Sequence, residues 1–70
     1  MAYFAKIDGN NIVTHVLVMP NTDPQINIQW LTQRKGGTWL ETAYDGRFRG
    51  KYAGIGDLYD PDSDTFKSPE

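Results

Sequence analysis

Apolar and β-branched residues dominate two runs near the start of the chain, residues 3–7 and 12–19. Residues of this kind favour extended backbone on a pleated, half-buried surface. The Asp-Gly-Asn-Asn stretch at 8–11 is typical of a turn, because glycine and asparagine tolerate positive φ. The pattern therefore predicts two strands that pair as a β-hairpin.

Both faces of this predicted hairpin carry large apolar side chains. Ile7 and Val16 lie on one face, and Phe4 and Leu17 lie on the other. A strand that is apolar on both sides needs cover on both sides. One short helix covers a single face, so we expect the other face to contact water or a partner protein. Phe4 and Leu17 are therefore candidate protein-contact residues.

The next segment has the spacing of a short helix over residues 24–34. Ile26 and Trp30 are four residues apart, which places them on one stripe with Leu31 at its edge. Asp23 followed by proline is typical of a helix start, and the two glycines at 36–37 are typical of a helix end. The Ile-Asn-Ile stretch inside this segment is also compatible with extended backbone.

A second hairpin is predicted over residues 38–44 and 47–53, with Asp45 and Gly46 as its two-residue loop. A loop of this length fixes the register of the two strands. The face predicted to join the core then holds Trp39, Glu41, Ala43, Phe48, Gly50 and Tyr52. The opposite face holds Leu40, Thr42, Tyr44, Arg47, Arg49 and Lys51.

Two very short strands at 58–59 and 65–67 complete the predicted fold. The fold class is α+β, mainly β: a small antiparallel sheet of two main hairpins with one short helix. Seventy residues correspond to one domain, residues 1–70. The predicted core residues are Ile12, Val16, Trp30, Trp39, Phe48 and Tyr52.

A basic stripe on the outer face of the second hairpin is a candidate interface. Tyr44, Arg47, Arg49 and Lys51 share this face. Three interpretations stay open: a solvated strand face, a docking surface for an acidic protein, or a surface that follows a phosphate backbone. The net charge of −2 argues against nucleic-acid binding, because proteins that bind nucleic acid normally carry an excess of basic residues.

Candidate chemistry is sparse in this sequence. The Asp-x-Asp-x-Asp stretch at 60–64 has the opening of a calcium loop, but it lacks the glycine and the final acidic residue that such a loop needs. His15 is the only histidine, and no serine nucleophile or acid–base pair accompanies it in the pattern. With no cysteine, disulfides and thiolate zinc sites are excluded. We therefore expect no catalytic, cofactor or metal site, and no enzyme.

Length and composition set the remaining expectations. A chain of 70 residues builds one thin core, and a homo-oligomer is one way to add stability. The start of the chain lacks the pattern of a signal peptide, and the longest apolar run is too short to span a membrane. The lack of cysteine is compatible with the cytosol, where thiols stay reduced.

Two stretches resemble a known family. Met-Ala-Tyr-Phe-Ala-Lys-Ile-Asp at 1–8 and Asn-Ile-Val-Thr-x-Val at 11–16 resemble the start of small proteins encoded by tailed phages, many of them marine or cyanobacterial. Gly-Gly-Thr-Trp at 36–39 and Lys-Tyr-Ala-Gly-Ile-Gly at 51–56 resemble the middle and end of the same proteins. The C-terminal segment is also similar to the C-terminal parts of tail-fibre-associated proteins, through Tyr-Asp at 59–60, Asp-Thr-Phe at 64–66 and Pro69.

This resemblance implies a virion protein that acts by binding other virion proteins. Capsid decoration and a tail, baseplate or fibre position are both open. The alternative is a small phage-encoded effector that binds a host protein during infection. The resemblance implies no known catalysis, and it implies a place in the virion after synthesis in the host cytoplasm. The net charge and the short apolar run lead us to expect no nucleic-acid partner and no membrane partner.

Overall fold

The computed structural model describes residues 2–43 and 52–68. Within these ranges the chain forms one helix and five strands, arranged in two antiparallel sheets. The fold is α+β and mainly β, as the sequence predicts. The elements are β1 (Ala2–Ile7), β2 (Val13–Met19), α1 (Pro24–Lys35), β3 (Thr38–Thr42), β4 (Leu58–Asp60) and β5 (Thr65–Lys67).

The predicted first hairpin is confirmed: β1 and β2 pair antiparallel, with a bulge at the end of β1. An aspartate organises the turn, because Asp8 Oδ1 accepts hydrogen bonds from the backbone N–H of Asn10 (2.8 Å) and of Ile12 (3.0 Å). The residue with positive φ is Asn11, at 63°, and not Gly9. Asparagine tolerates this conformation better than most side chains.

The third strand pairs with β1, so that β1 is the centre of a sheet ordered β2-β1-β3. The sequence predicted a hairpin partner for β3 at 47–53. Residues 44–51, which include the Asp45-Gly46 loop, lie outside the described residues. Tyr52 and Ala53, the described end of that segment, are not in a strand. Local pattern identifies β3 as a strand, but it does not specify the neighbour with which the strand pairs.

Helix α1 begins where the sequence predicts and ends one residue later, at Lys35. Asp23 caps it, since its Oδ1 accepts a hydrogen bond from the backbone N–H of Gln25 at 2.9 Å. At the other end, Gly36 has φ of 69° and its N–H donates to the carbonyl of Thr32. Positive φ at this position ends the helix and turns the chain toward β3.

Helix α1 covers one face of the sheet. The cluster beneath it is built from Phe4 and Leu31, both fully buried, with Trp39 at 3% exposure. Ala2, Leu17, Met19 and Ile28 complete the cluster. The predicted apolar face of β1 is therefore filled from three directions, by the helix and by both neighbouring strands.

The opposite face of the sheet is covered by the C-terminal segment. Ala53 and Phe66 are buried there against Ala5, Ile7 and Val13. Val16, Leu40 and Tyr59 are packed against this cluster. The expectation of an uncovered apolar face on the first hairpin is wrong, because the short strands β4 and β5 supply the second layer.

Backbone hydrogen bonds fix this second layer to the beginning of β2. The N–H of Val13 donates to the carbonyl of Asp57, and the carbonyl of Val13 accepts from Gly56, both at 2.8 Å. Tyr59 N–H donates to the carbonyl of Asn11 at 2.8 Å. The C-terminal segment is thus attached through backbone groups and not through particular side chains.

The predicted core is right in part. Trp39 is buried, and Val16 is half-buried against the second cluster. The prediction that Trp30 and Tyr52 are core residues is wrong, because their side chains are 44% and 40% exposed. The ring of Tyr52 meets the ring of Tyr3 edge-on, with centroids 5.7 Å apart. Ile12 is half-buried, and Phe48 lies outside the described residues.

Candidate protein-binding groove

The interface residues expected from the sequence lie in different environments. Phe4 is fully buried, so it is not a surface residue and its assignment to an interface is wrong. Leu17 is half-buried at the margin of the helix-side cluster. The basic stripe, Tyr44, Arg47, Arg49 and Lys51, lies outside the described residues and stays a prediction.

The outer stripe of α1 exposes two of the several large apolar side chains that are exposed in the described part of the chain. Ile26 is 57% exposed, and Trp30 follows one turn later on the same stripe. Arg34, one further turn along, places its guanidinium carbon 5.1 Å from the centre of the Trp30 ring. A cation over an aromatic face is attractive and holds this ring in place.

The helix buries the neighbouring stripe instead. Leu31 is fully buried, and Asn27 is 3% exposed. Asn27 fills a core position because its side-chain Nδ2 donates to the carbonyl of Pro20 at 3.1 Å. Of the predicted stripe, Leu31 is buried while Ile26 and Trp30 are exposed, because the polar residue Asn27 takes a core position that apolar spacing does not predict.

An apolar cavity of about 390 Å³ lies between this exposed stripe and the end of β2. Met19 and Pro20 form one wall, and Ile26 and Trp30 form the other. Asn27 lies at the base. The cavity has the mixture of concave shape and apolar lining that small binding sites use.

A second cavity, of about 200 Å³, lies where the end of α1 meets the sheet. Its lining is basic: Lys6 from β1, His15 and Leu17 from β2, Lys35 from α1 and Trp39 from β3. It brings together side chains that are far apart in sequence, and no single local motif marks it. Sequence reasoning therefore missed it.

Local contacts hold the basic side chains in place. Lys6 Nζ donates to the carbonyl of Lys35 at 3.4 Å. The stem of Lys6 passes over Gly37, where a Cβ would clash with it. Trp39 Nε1 donates to the carbonyl of Gly36 at 2.9 Å, which fixes the indole against the helix end. The cavity is thus built on backbone positions that require glycine.

The two cavities are neighbours along one face of β2. His15, Leu17 and Met19 alternate along the strand and point to the helix side. His15 and Leu17 line the basic cavity, while Met19 lines the apolar one. We call the two cavities together the α1–β2 groove.

The acidic loop at 60–64 is occupied with contacts of its own. Asp60 Oδ2 lies 3.1 Å from Lys67 Nζ, and Asp60 Oδ1 accepts from the N–H of Asp62 at 3.0 Å. Tyr59 donates its hydroxyl to Asp64 Oδ1 at 2.6 Å. The hydrogen bond from Lys67, and then that from Asp62, lowers the pKa of the Asp60 carboxyl from its ordinary 3.8. These contacts are those of a structured β4–β5 turn.

Among the described residues there is neither a cluster of metal ligands nor a helix that could span a membrane. In this part of the chain, no three or more His, Asp or Glu side chains converge on a point where they could hold a metal ion. Helix α1, the one helix in the same residues, is too short and too polar to cross a bilayer. His15 is exposed, with its Nδ1 3.0 Å from Thr14 Oγ1.

The chain was compared with models of protein families, with curated proteins and with solved structures, and none of them matched. The features that bear on function are therefore the groove and the resemblance of the sequence to small phage proteins.

Proposed function

We propose that the protein is a structural or accessory component of a bacteriophage particle that acts by binding other proteins of the particle. The phage setting is supported by the resemblance of residues 1–16, 36–39 and 51–56 to small proteins of tailed phages. The binding role is supported by the α1–β2 groove. A capsid decoration position and a tail, baseplate or fibre position agree equally with these observations.

The observation that carries the binding role is the exposed apolar lining of the groove. Ile26 and Trp30 stand more than 40% exposed beside Met19 and Pro20. Single exposed apolar residues are common on protein surfaces, but a contiguous concave set of them marks an interaction site. Covering it would remove apolar surface from water, at about 25 cal/mol for each Å².

The residue types of the groove also fit a protein partner. Tryptophan, methionine and arginine are enriched where proteins contact each other. Trp30 and Arg34 are already held together, so little side-chain freedom remains to be lost on binding. A preorganised aromatic anchor of this kind is typical of the residues that dominate binding energy.

Quantitative mass spectrometry of purified phage particles tests the proposal. We expect peptides of this chain to co-sediment with particles through a density gradient, at a constant ratio to the major capsid protein. If the chain is abundant in infected cells but absent from particles, the proposal is wrong. That result would instead favour an effector that binds a host protein.

A further inference from the structure

Strand β2 is an edge of the three-stranded sheet. Its first residue, Val13, is bonded on the outer side to Asp57 and Gly56. Beyond Val13, no strand in the described part of the chain pairs with the outer side of β2. An edge of this kind offers a row of backbone donors and acceptors to an added strand. His15 and Val18 are exposed on this edge strand, so it is accessible from solvent.

The groove lies beside this edge and has two chemically different ends. The apolar end is at Met19 and the basic end is at His15, four residues earlier in β2. Four residues of extended chain span roughly 13 Å. An added strand would cover the same distance in four residues, and side chains four apart in a strand point to the same face.

The charge of the basic end selects one kind of occupant. Lys6, Lys35 and His15 are three of the five residues that line it, and the two lysines carry positive charge. No carboxylate lines either cavity within residues 2–43 and 52–68. The chain as a whole has a net charge of −2, so this concentration of basic groups is local. A carboxylate side chain is the complement that such a site attracts.

We propose that the edge of β2 and the α1–β2 groove bind an extended acidic segment of a partner protein as an added strand. One apolar side chain of the segment fills the cavity at Met19 and Trp30. A carboxylate four residues away enters the cavity at Lys6 and Lys35. Strand addition beside a helix is an established mode of peptide recognition, in which backbone bonds provide affinity and side-chain pockets provide specificity.

The inference rests on the proposed function, because the segment is taken to belong to another particle protein. It adds the chemistry of that segment and the place where it binds. The spacing between the segment's apolar residue and its acid follows from the distance between the two cavities along β2. It does not depend on which particle protein supplies the segment.

Titration of the ¹⁵N-labelled full chain with synthetic peptides tests the inference by NMR. The probe is acetyl-Leu-Thr-Thr-Thr-Glu-amide, with the reversed sequence as a second probe, because β2 accepts an antiparallel or a parallel strand. The comparison peptides carry glutamine in place of glutamate. We expect shifts at the amides of Leu17 and Met19 and at the indole N–H of Trp30. The glutamate form of one probe should bind at least tenfold more tightly than its glutamine form.

Two variants with the same change of charge show where the acid binds. Lys35→Gln removes the charge of an exposed residue that lines the basic cavity and should reduce the tenfold preference for glutamate to twofold or less. Lys67→Gln removes an equal charge from β5, whose Phe66 packs on the opposite face of the sheet, and should leave the preference intact. Thermal melting of both variants confirms that each is folded.

Three results would overturn the inference: no shifts up to the solubility limit of either probe, equal affinity for the glutamate and glutamine forms, or shifts confined to other surfaces. Each leaves the proposed function standing if the chain is found in particles. Conversely, specific peptide binding by a chain that is absent from particles would contradict the phage proposal and leave the binding site in place.

Discussion

Backbone conformation at single residues decides where the turns of this chain lie. Asn11 and Asp64 adopt positive φ, at 63° and 54°, and both are residue types that tolerate it. Gly56 has φ of 96°, and its N–H donates to the carbonyl of Val13. That residue therefore holds the C-terminal segment against β2 in a conformation that side chains disfavour.

Two glycine substitutions should change stability in opposite directions. An alanine Cβ has open space at Gly56 and at Gly9, but only Gly56 has positive φ. Gly56→Ala should destabilise the fold by about 1–2 kcal/mol through backbone strain. Gly9→Ala should be neutral or stabilising by up to about 1 kcal/mol, because it restricts the unfolded chain. Urea unfolding measures both, and equal effects would contradict this explanation.

The buried position of Phe4 predicts a large loss on truncation. Phe4→Ala should cost about 3–5 kcal/mol, as is usual for a buried aromatic residue. That is a large share of the roughly 3.5–10 kcal/mol expected for 70 residues. Phe4→Leu keeps most of the volume and should remain folded with a smaller loss. Ile26→Ala, at a position 57% exposed, serves as the control and should cost less than about 1 kcal/mol.

At the scale of elements, the sequence predicted the turns and helix ends that neighbouring residues determine. Turn residues located the first hairpin, and Asp23 with Gly36 located the ends of α1. The pairing of β3 with β1 was not predictable, because β3 reaches β1 across the whole helix. The groove was missed for the same reason: Lys6, Lys35 and the other residues that line it meet only after the chain has folded.

Removal of the helix cap should weaken α1 measurably. Asp23→Ala leaves the N–H of Gln25 without its side-chain acceptor and should cost about 1 kcal/mol. Asp23→Ser supplies another capping oxygen and should retain most of the stability. The two variants are compared by denaturant unfolding, and an equal loss in both would show that the cap is not the cause.

The β4–β5 hairpin should respond to acid through one carboxyl. Lys67 lowers the pKa of Asp60, so the folded state favours the charged carboxylate more than the unfolded chain does. This contribution to stability is present above pH 3.8 and is lost as the pH falls through the lowered pKa. NMR titration should place the Asp60 midpoint below 3.8, and Lys67→Met should raise it. A midpoint that Lys67→Met does not move would contradict the assigned cause.

The whole molecule is a sheet with cover on both faces. Helix α1 packs on one side, and the segment with Ala53, β4 and β5 packs on the other. Since both faces of β1 are used internally, the large apolar residues Phe4 and Ile7 of this strand are not available to partners. Within the described residues, the margin between α1 and β2 combines exposed apolar side chains with a cavity.

Incorporation of two charge variants into phage particles tests the central claim most directly. Ile26→Glu places a carboxylate in the apolar cavity, at a helix N-terminal position where an acid does not harm the helix. Gln29→Glu makes a substitution to the same acid at an exposed position of α1 that lines neither cavity. We predict that Ile26→Glu lowers the amount in purified particles at least tenfold, while Gln29→Glu matches the unmodified protein. Equal recovery of all three would contradict a binding role for the groove.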